Sequence, residues 1–268
     1  MFECVKMDDL NRDLFQDKLK NFEKLFSYPF GQDNFTIDHG ENYFAFFERL
    51  GKADFFLALL EENIVAAVAV VIREVPFKKG GKLEEIAYLC DLKVHPEYRG
   101  KFLIQQLLSF AKGCQTFPNK VYAVSMDSKP FGFNRLLNIT KRLPDISLAL
   151  ADHLCFYLLT VEELKKVEDL MHSYFGQFKF SSLTGIKDLI LKSTGKPLSF
   201  LHFLPETASD STVINEPQIG FQHMCCFPSG HPIIKQLAGR EIRSFATASI
   251  LQHNVSTNDW HFITTSDI

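Results

Sequence analysis

One segment of the chain, residues 91–111, constrains the fold more than any other, and it reads DLKVHPEYRGKFLIQQLLSFA. A strand-like apolar stretch ends at Val94, and a short charged turn then leads into an apolar-periodic helix. Pro96 blocks further strand pairing, and the first N–H groups of the next helix lack partners within that helix. Those groups and the helix dipole favour a bound anion, especially a phosphate. Arg99 can add a charge-assisted contact, and Gly100 allows a ligand to approach closely.

The elements around this segment predict an α+β, or mixed α/β, fold. Antiparallel hairpins come first, and a strand–helix–strand unit long enough for a right-handed parallel crossover follows. We therefore expect a central, mostly antiparallel sheet that contains one parallel unit and is flanked by helices. The predicted strands are Phe2–Val5, Asp54–Leu60, Ile64–Arg73, Ile86–Val94 and Lys120–Met126. The predicted helices are Leu10–Phe26, Tyr43–Leu50, Leu103–Ala111 and Phe131–Ile139, and Pro29–Gly40 is predicted to be a loop.

The second half of the chain repeats this order of elements. Strands are predicted at His153–Thr160, Leu198–Leu204, Ile219–Phe227 and Trp260–Thr265, with helices ending at Phe175 and spanning Ile233–His253. An internal duplication would give two similar halves, residues 1–150 and 151–268, joined near Thr140–Ala151. The other interpretation is an unrelated C-terminal α+β extension.

Composition excludes several classes of function. A formal net charge of −3 over 268 residues predicts no nucleic-acid partner and no anionic membrane surface. No apolar run reaches the roughly 18 to 20 residues that span a bilayer, and the start of the sequence lacks a signal peptide. The six scattered cysteines are typical of reduced thiols in the cytoplasm, with no metal site expected. The 27 phenylalanines favour an aromatic-rich core over an apolar acyl or acceptor pocket.

Residues 94–101, VHPEYRGK, resemble the coenzyme-A motif V-x-P-x-x-R-G-x-G-x-G/A of the GNAT acetyltransferases. The order of elements extends the resemblance over about residues 1–140 and, more weakly, to a tandem GNAT-like architecture. It implies acetyl-CoA as the acyl donor. Two positions depart from the motif, because Phe102 and Ile104 stand where the family usually has glycine or alanine.

The resemblance also implies which residues hold the cofactor. Backbone groups of Leu92, Lys93 and Val94 would pair with the pantetheine arm. Amides of the turn would hold the diphosphate, and these belong to Arg99, Gly100, Lys101, Phe102, Leu103 and Ile104. Asn134 is the candidate for a further cofactor contact, with helix capping as its other interpretation.

In such enzymes an amine usually attacks the thioester directly, so a base must take a proton from the ammonium group. Asp91 and Tyr88 on the fourth predicted strand are the catalytic candidates, and Glu85 lies further out. Asp91 could instead make a structural hydrogen bond or face solvent, and Tyr88 could be a packing residue. The family's usual acid is a tyrosine after the fifth strand, but 131–140 contains none, so the acid is unassigned.

Two functions follow from these observations. The first is an acyl-CoA-dependent N-acyltransferase that acts on a small-molecule or peptide amine, with a monomer as a plausible state. The second is a decayed GNAT-like module that binds or senses acyl-CoA without turnover. The turn Pro228–Pro232 in the second half lacks an arginine and is interpreted as structural, helping to frame the acceptor cleft.

Overall fold

The fold is built on a large mixed sheet, seen in a computed structural model that describes residues 2–114, 117–132, 134–141, 147–206, 208 and 212–268. The strands are β1 (Glu3–Lys6), β2 (Tyr28–Phe30), β3 (Asp33–Asp38), β4 (Lys52–Leu60), β5 (Asn63–Pro76), β6 (Leu83–Val94), β7 (Val121–Met126), β8 (Ala149–Leu159), β9 (Phe178–Ser181), β10 (Asp188–Leu191), β11 (Pro197–Leu198), β12 (Phe200–Pro205), β13 (Val213–Ile214), β14 (Gln222–Pro228) and β15 (Ala246–His253). The helices are α1 (Arg12–Glu23), α2 (Ala45–Leu50), α3 (Leu103–Cys114), α4 (Arg135–Thr140), α5 (Val161–Phe175) and α6 (Ile233–Gly239). Within these residues, no helix is both long and apolar enough to cross a membrane.

Eleven of the described strands form the large sheet, in the order β1-β4-β5-β6-β7-β15-β8-β14-β12-β9-β13. Strand β5, third in this order, is buried from Ile64 to Val71, as expected for a Val- and Ala-rich strand covered on both faces. Pairing is antiparallel except between β6 and β7 and between β12 and β14. The predicted fold class, with two halves and a parallel β6–α3–β7 unit, is confirmed.

Helix α3 covers one face of the sheet beside β5 and β6. Its buried side chains are Leu103, Leu107, Leu108 and Ala111, which recur at the spacing of one helical face. The opposite face carries 13 of the 27 phenylalanines, packed into an aromatic core. The prediction that phenylalanine builds the core is confirmed for these residues, although some of the same rings also line a cavity described below.

The last strand, β15, ties the two halves together. It lies between β7 of the first half and β8 of the second, and it pairs antiparallel with both. Strand β8 begins at Ala149, so the predicted boundary between the two halves, at residues 150 and 151, would lie inside this strand. The boundary stays a prediction. Part of the predicted joint near Thr140–Ala151 lies outside the described residues, which omit 142–146.

Three sequence predictions were wrong in their element type. The helix predicted over Ile233–His253 ends at Gly239, and Ala246–His253 is β15, because that segment fills the slot between two strands and pairs along both edges. The strand predicted at Trp260–Thr265 is a loop that leads into a short 3-10 turn. The loop predicted over Pro29–Gly40 contains the hairpin β2–β3, which is stabilised by pairing with a distant strand.

That distant strand belongs to the second half and forms a smaller sheet with the hairpin. The order of this sheet is β11-β10-β3-β2, with Asp188 of β10 opposite Asp38 of β3. Just beyond this pair, Gly40 has a φ of +63°, and a Cβ there would overlap the carbonyl oxygen of Gly185. The two segments can approach this closely only because Gly40 has no side chain.

We predict that Gly40→Ala destabilises the protein by about 3 kcal/mol. An alanine is strained at this positive φ, and its Cβ would also clash with the backbone of Gly185. Gly185→Ala is the matched control. Its φ is +78°, but nothing lies within 4 Å of the added Cβ, so only about 1 kcal/mol is expected. Urea unfolding of both variants measures the difference, and equal losses would contradict the close contact.

Candidate active site

Two cavities meet where β6 and β7 separate. The pairing of these strands runs from Ala87 opposite Val121 to Leu89 opposite Ala123, yet both strands continue beyond it. A cavity of about 620 Å³ opens between them, and a second of about 720 Å³ lies against the turn before α3. The residues that line both cavities are Tyr28, Leu92, Lys93, Ile104, Ser125 and Ile139. We call the first the acceptor cavity and the second the turn cavity.

The turn cavity is lined by the segment that the sequence singled out. A short 3-10 turn over Pro96–Tyr98 ends the strand, and α3 begins at Leu103. Arg99 and Gly100 are exposed and line this cavity, and Gly100 has a φ of +80°. The chain therefore turns as predicted, with the start of α3 facing open space.

Phe102 does not fill the turn cavity. It adopts a φ of +57°, a left-handed conformation that glycine takes at lower cost, and its side chain is 55% exposed. The ring is thus at the rim rather than in the core. The φ value gives a physical reason for the glycine that the resemblance leads one to expect here.

Asp91 lines the acceptor cavity at a bulge in β6. Ala67 of β5 lies opposite Lys93, whereas Ala69 lies opposite Cys90, so β6 holds one extra residue between these pairs. Asp91 takes a φ of +54° there, and its side chain is 5% exposed.

A buried hydrogen-bonded cluster surrounds this carboxylate. Tyr43 donates its hydroxyl to Asp91 Oδ2 at 2.7 Å. The Lys93 ammonium group contacts Asp91 Oδ1 and Glu23 Oε2, and it lies 3.1 Å from the Tyr43 oxygen. Tyr28 donates to Glu23 Oε1 at 3.0 Å. One cation is therefore shared by two carboxylates that come from α1 and β6.

Burial shifts the pKa values of Asp91 and Lys93 in the directions that favour their uncharged forms. It raises the pKa of Asp91 to about 7, although the hydrogen bond from Tyr43 and the charge of Lys187 oppose the shift. Burial also lowers the pKa of Lys93 well below its usual range. A carboxylate that titrates near neutral pH is suited to act as a general base.

His39 completes the wall beside this cluster. Its ring is 2% exposed, lies 4.4 Å from the Tyr43 ring, and has a pKa lowered to about 3 by burial. One ligand atom each from Glu23, His39 and Asp91 lies within 4.8 Å of the others, a spacing that a metal ion could use. The Lys93 Nζ already contacts both carboxylates, so we assign no metal to these residues.

Residues 11–113 match the family model described as an acetyltransferase (GNAT) domain. Over these residues the chain is similar to the GNAT acetyltransferases. An uncharacterized protein of Acanthamoeba polyphaga mimivirus is 25% identical over 232 residues, which is 85% of this chain and 68% of that protein. The match of residues 11–113 to this domain supports acyl-CoA-dependent acetyl transfer as the general chemistry.

Solved GNAT structures resemble the chain more loosely. A tandem GNAT protein from the clavulanic acid biosynthesis pathway is 10% identical with a TM-score of 0.49, and the match covers 94% of this chain and 98% of that one. Naa50 of Arabidopsis thaliana, in complex with the bisubstrate analogue CoA-Ac-MVNAL, is 19% identical with a TM-score of 0.37 over 57% and 85% of the two chains. Scores this low support no conclusion about activity.

Tyr88, Asn134 and Glu85 are the other residues predicted for the site, and the structure shows what surrounds each of them. Tyr88 is buried and stacks on Tyr122 with ring centroids 4.6 Å apart, which supports the packing interpretation. Asn134 lines the acceptor cavity, but its side-chain oxygen caps α4 by accepting from Leu136 N at 3.0 Å. Glu85 is exposed and lines neither cavity.

The predicted cofactor residues fall into two groups. Leu92, Val94, Leu103 and Ile104 line the turn cavity. Lys101 is exposed, and its ammonium group lies 4.6 Å from the Tyr98 ring centroid. The roles of all these residues in cofactor binding stay predictions.

Sequence reasoning missed most of the buried cluster. Glu23 carried one available signal, because it follows Phe22 on the face of α1 that also buries Leu19. A carboxylate on such a face suggests a buried partner. Tyr28, Tyr43 and His39 lie outside the motif, and only the tertiary fold brings them to β6.

We predict that Phe102→Gly keeps or raises the free energy of unfolding, by up to about 1 kcal/mol, because glycine relieves the left-handed strain. Phe102→Ala is the control, since it removes the ring but keeps a Cβ at the same φ. Chemical denaturation should find the glycine variant more stable than the alanine variant. A loss of more than about 2 kcal/mol in both would show that the ring is a core residue.

Proposed function

We propose that the chain is an acyl-CoA-dependent N-acyltransferase that moves an acetyl group from acetyl-CoA to a primary amine by direct attack. The observation that carries the proposal is the junction of the two cavities. One is lined by the turn that is predicted to bind an anion, and the other by a buried carboxylate with a pKa of about 7. A donor that lies across the junction would present its thioester to an acceptor beside Asp91.

The donor would be held by main-chain groups. In the turn, amides from Arg99 to Ile104 and the N-terminus of α3 favour the diphosphate. Beyond Leu89 the edge of β6 that faces β7 is no longer paired with it, so backbone groups of Leu92–Val94 can pair with the pantetheine arm. An amide N–H near Val94 would then polarise the thioester carbonyl.

Asp91 would act as the base. Its carboxylate accepts a proton from the acceptor's ammonium group, and the free amine attacks the thioester carbon. The nitrogen then loses its second proton to water as the C–S bond breaks and releases the CoA thiolate. Tyr28 lines both cavities, but burial raises its pKa well above the usual range, so its hydroxyl is a weak acid. The thiolate would therefore take its proton from solvent.

A module that only senses acyl-CoA would use the same turn and differ in having no turnover. The exposed position of Phe102 and the open acceptor cavity favour the enzyme, because the ring does not close the path to Asp91. Binding of acetyl-CoA without release of thiol across a panel of amines would support the sensor instead.

We predict that acetyl-CoA raises the melting temperature, because a ligand of the native state stabilises it. S-acetylpantetheine, which lacks the diphosphate, should cause little shift. Arg99→Ala should weaken acetyl-CoA binding about tenfold or more by removing a charge-assisted contact. Lys82→Ala, at an exposed lysine in another turn, is the control. No shift at millimolar acetyl-CoA would defeat both the enzyme and the sensor.

We predict that Asp91→Asn mainly lowers kcat, by about 100-fold or more, while acetyl-CoA binding is kept. In the parent protein, kcat/KM for an amine should rise with pH through about 7, because Asp91 must lose its proton to act as a base. The variant should lack this limb. An unchanged pH profile in Asp91→Asn, measured by thiol release, would remove Asp91 from the mechanism.

A further inference from the structure

The acceptor cavity holds an ammonium group that the proposed reaction does not use. Lys187 lies just before β10, in the second half, and lines this cavity together with Asp91. Its Nζ lies 4.0 Å from the Phe46 ring centroid. Among the described residues this ammonium group has no hydrogen bond or ion pair, whereas that of Lys93 contacts two carboxylates.

The placement of Lys187 is fixed by the fold. Its N–H donates to Leu183 O at 2.9 Å, and the next residue, Asp188, is in register with Asp38. The close approach of Gly40 to Gly185 holds the same segment against the first half. A partly buried lysine without a carboxylate partner is costly unless a ligand supplies one.

The charges of the cavity match a zwitterion. Asp91 is placed to receive an ammonium group, and Lys187 is close enough for each charge to shift the pKa of the other. An acceptor with an amine at Asp91 would therefore bring a nearby anionic group within reach of Lys187. A single lysine suits a carboxylate, which carries one charge, better than a phosphate dianion, which usually recruits several donors.

Much of the remaining wall is apolar and aromatic, although Ser125, Asp127 and Asn134 also line it. Rings that line the acceptor cavity come from the β2–β3 hairpin and from α2, and they are Tyr28, Phe30, Phe35, Phe46 and Phe47. Such a wall favours an acceptor with a large apolar body.

We infer that the acceptor is an amino carboxylate with an apolar or aromatic side chain, and that Lys187 binds its carboxylate. This inference rests on the proposed transferase function and names the substrate class of the same site. It also gives the second half a direct part in binding, since Lys187 comes from there.

The test compares two amines that differ in one charge, phenylalanine and phenylalaninamide, by thiol release from acetyl-CoA. The ratio of their kcat/KM values is measured in the parent protein and in Lys187→Met. Their intrinsic reactivities cancel because the same two amines are used in both proteins. The kcat/KM for phenylalanine divided by that for phenylalaninamide should fall about tenfold or more in Lys187→Met. It should be partly restored in Lys187→Arg and unchanged in Lys192→Met, at an exposed lysine of the same region.

An equal ratio in the parent protein and Lys187→Met would overturn the inference while leaving the transferase proposal intact. If no amine releases thiol although acetyl-CoA binds, the transferase proposal fails, and calorimetry of phenylalanine binding to the CoA complex tests Lys187 separately. Binding that is present in the parent protein and lost in Lys187→Met supports the carboxylate site. Absence of binding, or equal binding in the two proteins, overturns it.

Discussion

The short pairing between β6 and β7 is the constraint on which the site depends. Three residue pairs hold these parallel strands together, and beyond Leu89 the two strands no longer pair with each other. The gap that results is the acceptor cavity, and its edge on β6 carries main-chain groups that no longer pair with β7. A bulge at the same point gives β6 one extra residue and places Asp91 at the cavity wall.

The buried charges beside this gap connect it to the rest of the first half. Lys93 joins α1 to β6 by contacting both Glu23 and Asp91, and Tyr43 adds a hydroxyl from the segment before α2. A cluster of this kind contributes little net stability relative to an apolar core, but breaking it leaves an uncompensated charge. Its value at this position is that it orients the carboxylate, whereas burial raises the pKa of Asp91 toward neutrality and the hydrogen bond from Tyr43 opposes that shift.

The sequence predicted what local signals determine. Pro96 and Gly100 marked the turn, apolar periodicity marked α3, and a carboxylate in an apolar strand drew attention to Asp91. The element order was sufficient to predict a mixed sheet with a parallel unit, because a strand–helix–strand crossover has few alternatives.

Features set by distant parts of the chain escaped prediction. The β2–β3 hairpin is stabilised by β10, about 150 residues later, and β15 adopts a strand where local propensity also allowed a helix. Lys187 reaches the cavity only through the small sheet, so its sequence neighbours carry no sign of it. The bulge at Asp91 likewise depends on the register with β5.

The position of β15 also bears on how the chain is made. During synthesis, β7 emerges about 120 residues before the strand that covers its outer edge. Until β15 arrives, the nascent chain presents an uncovered strand edge, a known route to aggregation and domain swapping. The first half can therefore collapse early, but its sheet closes late, and a molecular chaperone that shields this edge would act in the interval between the two events.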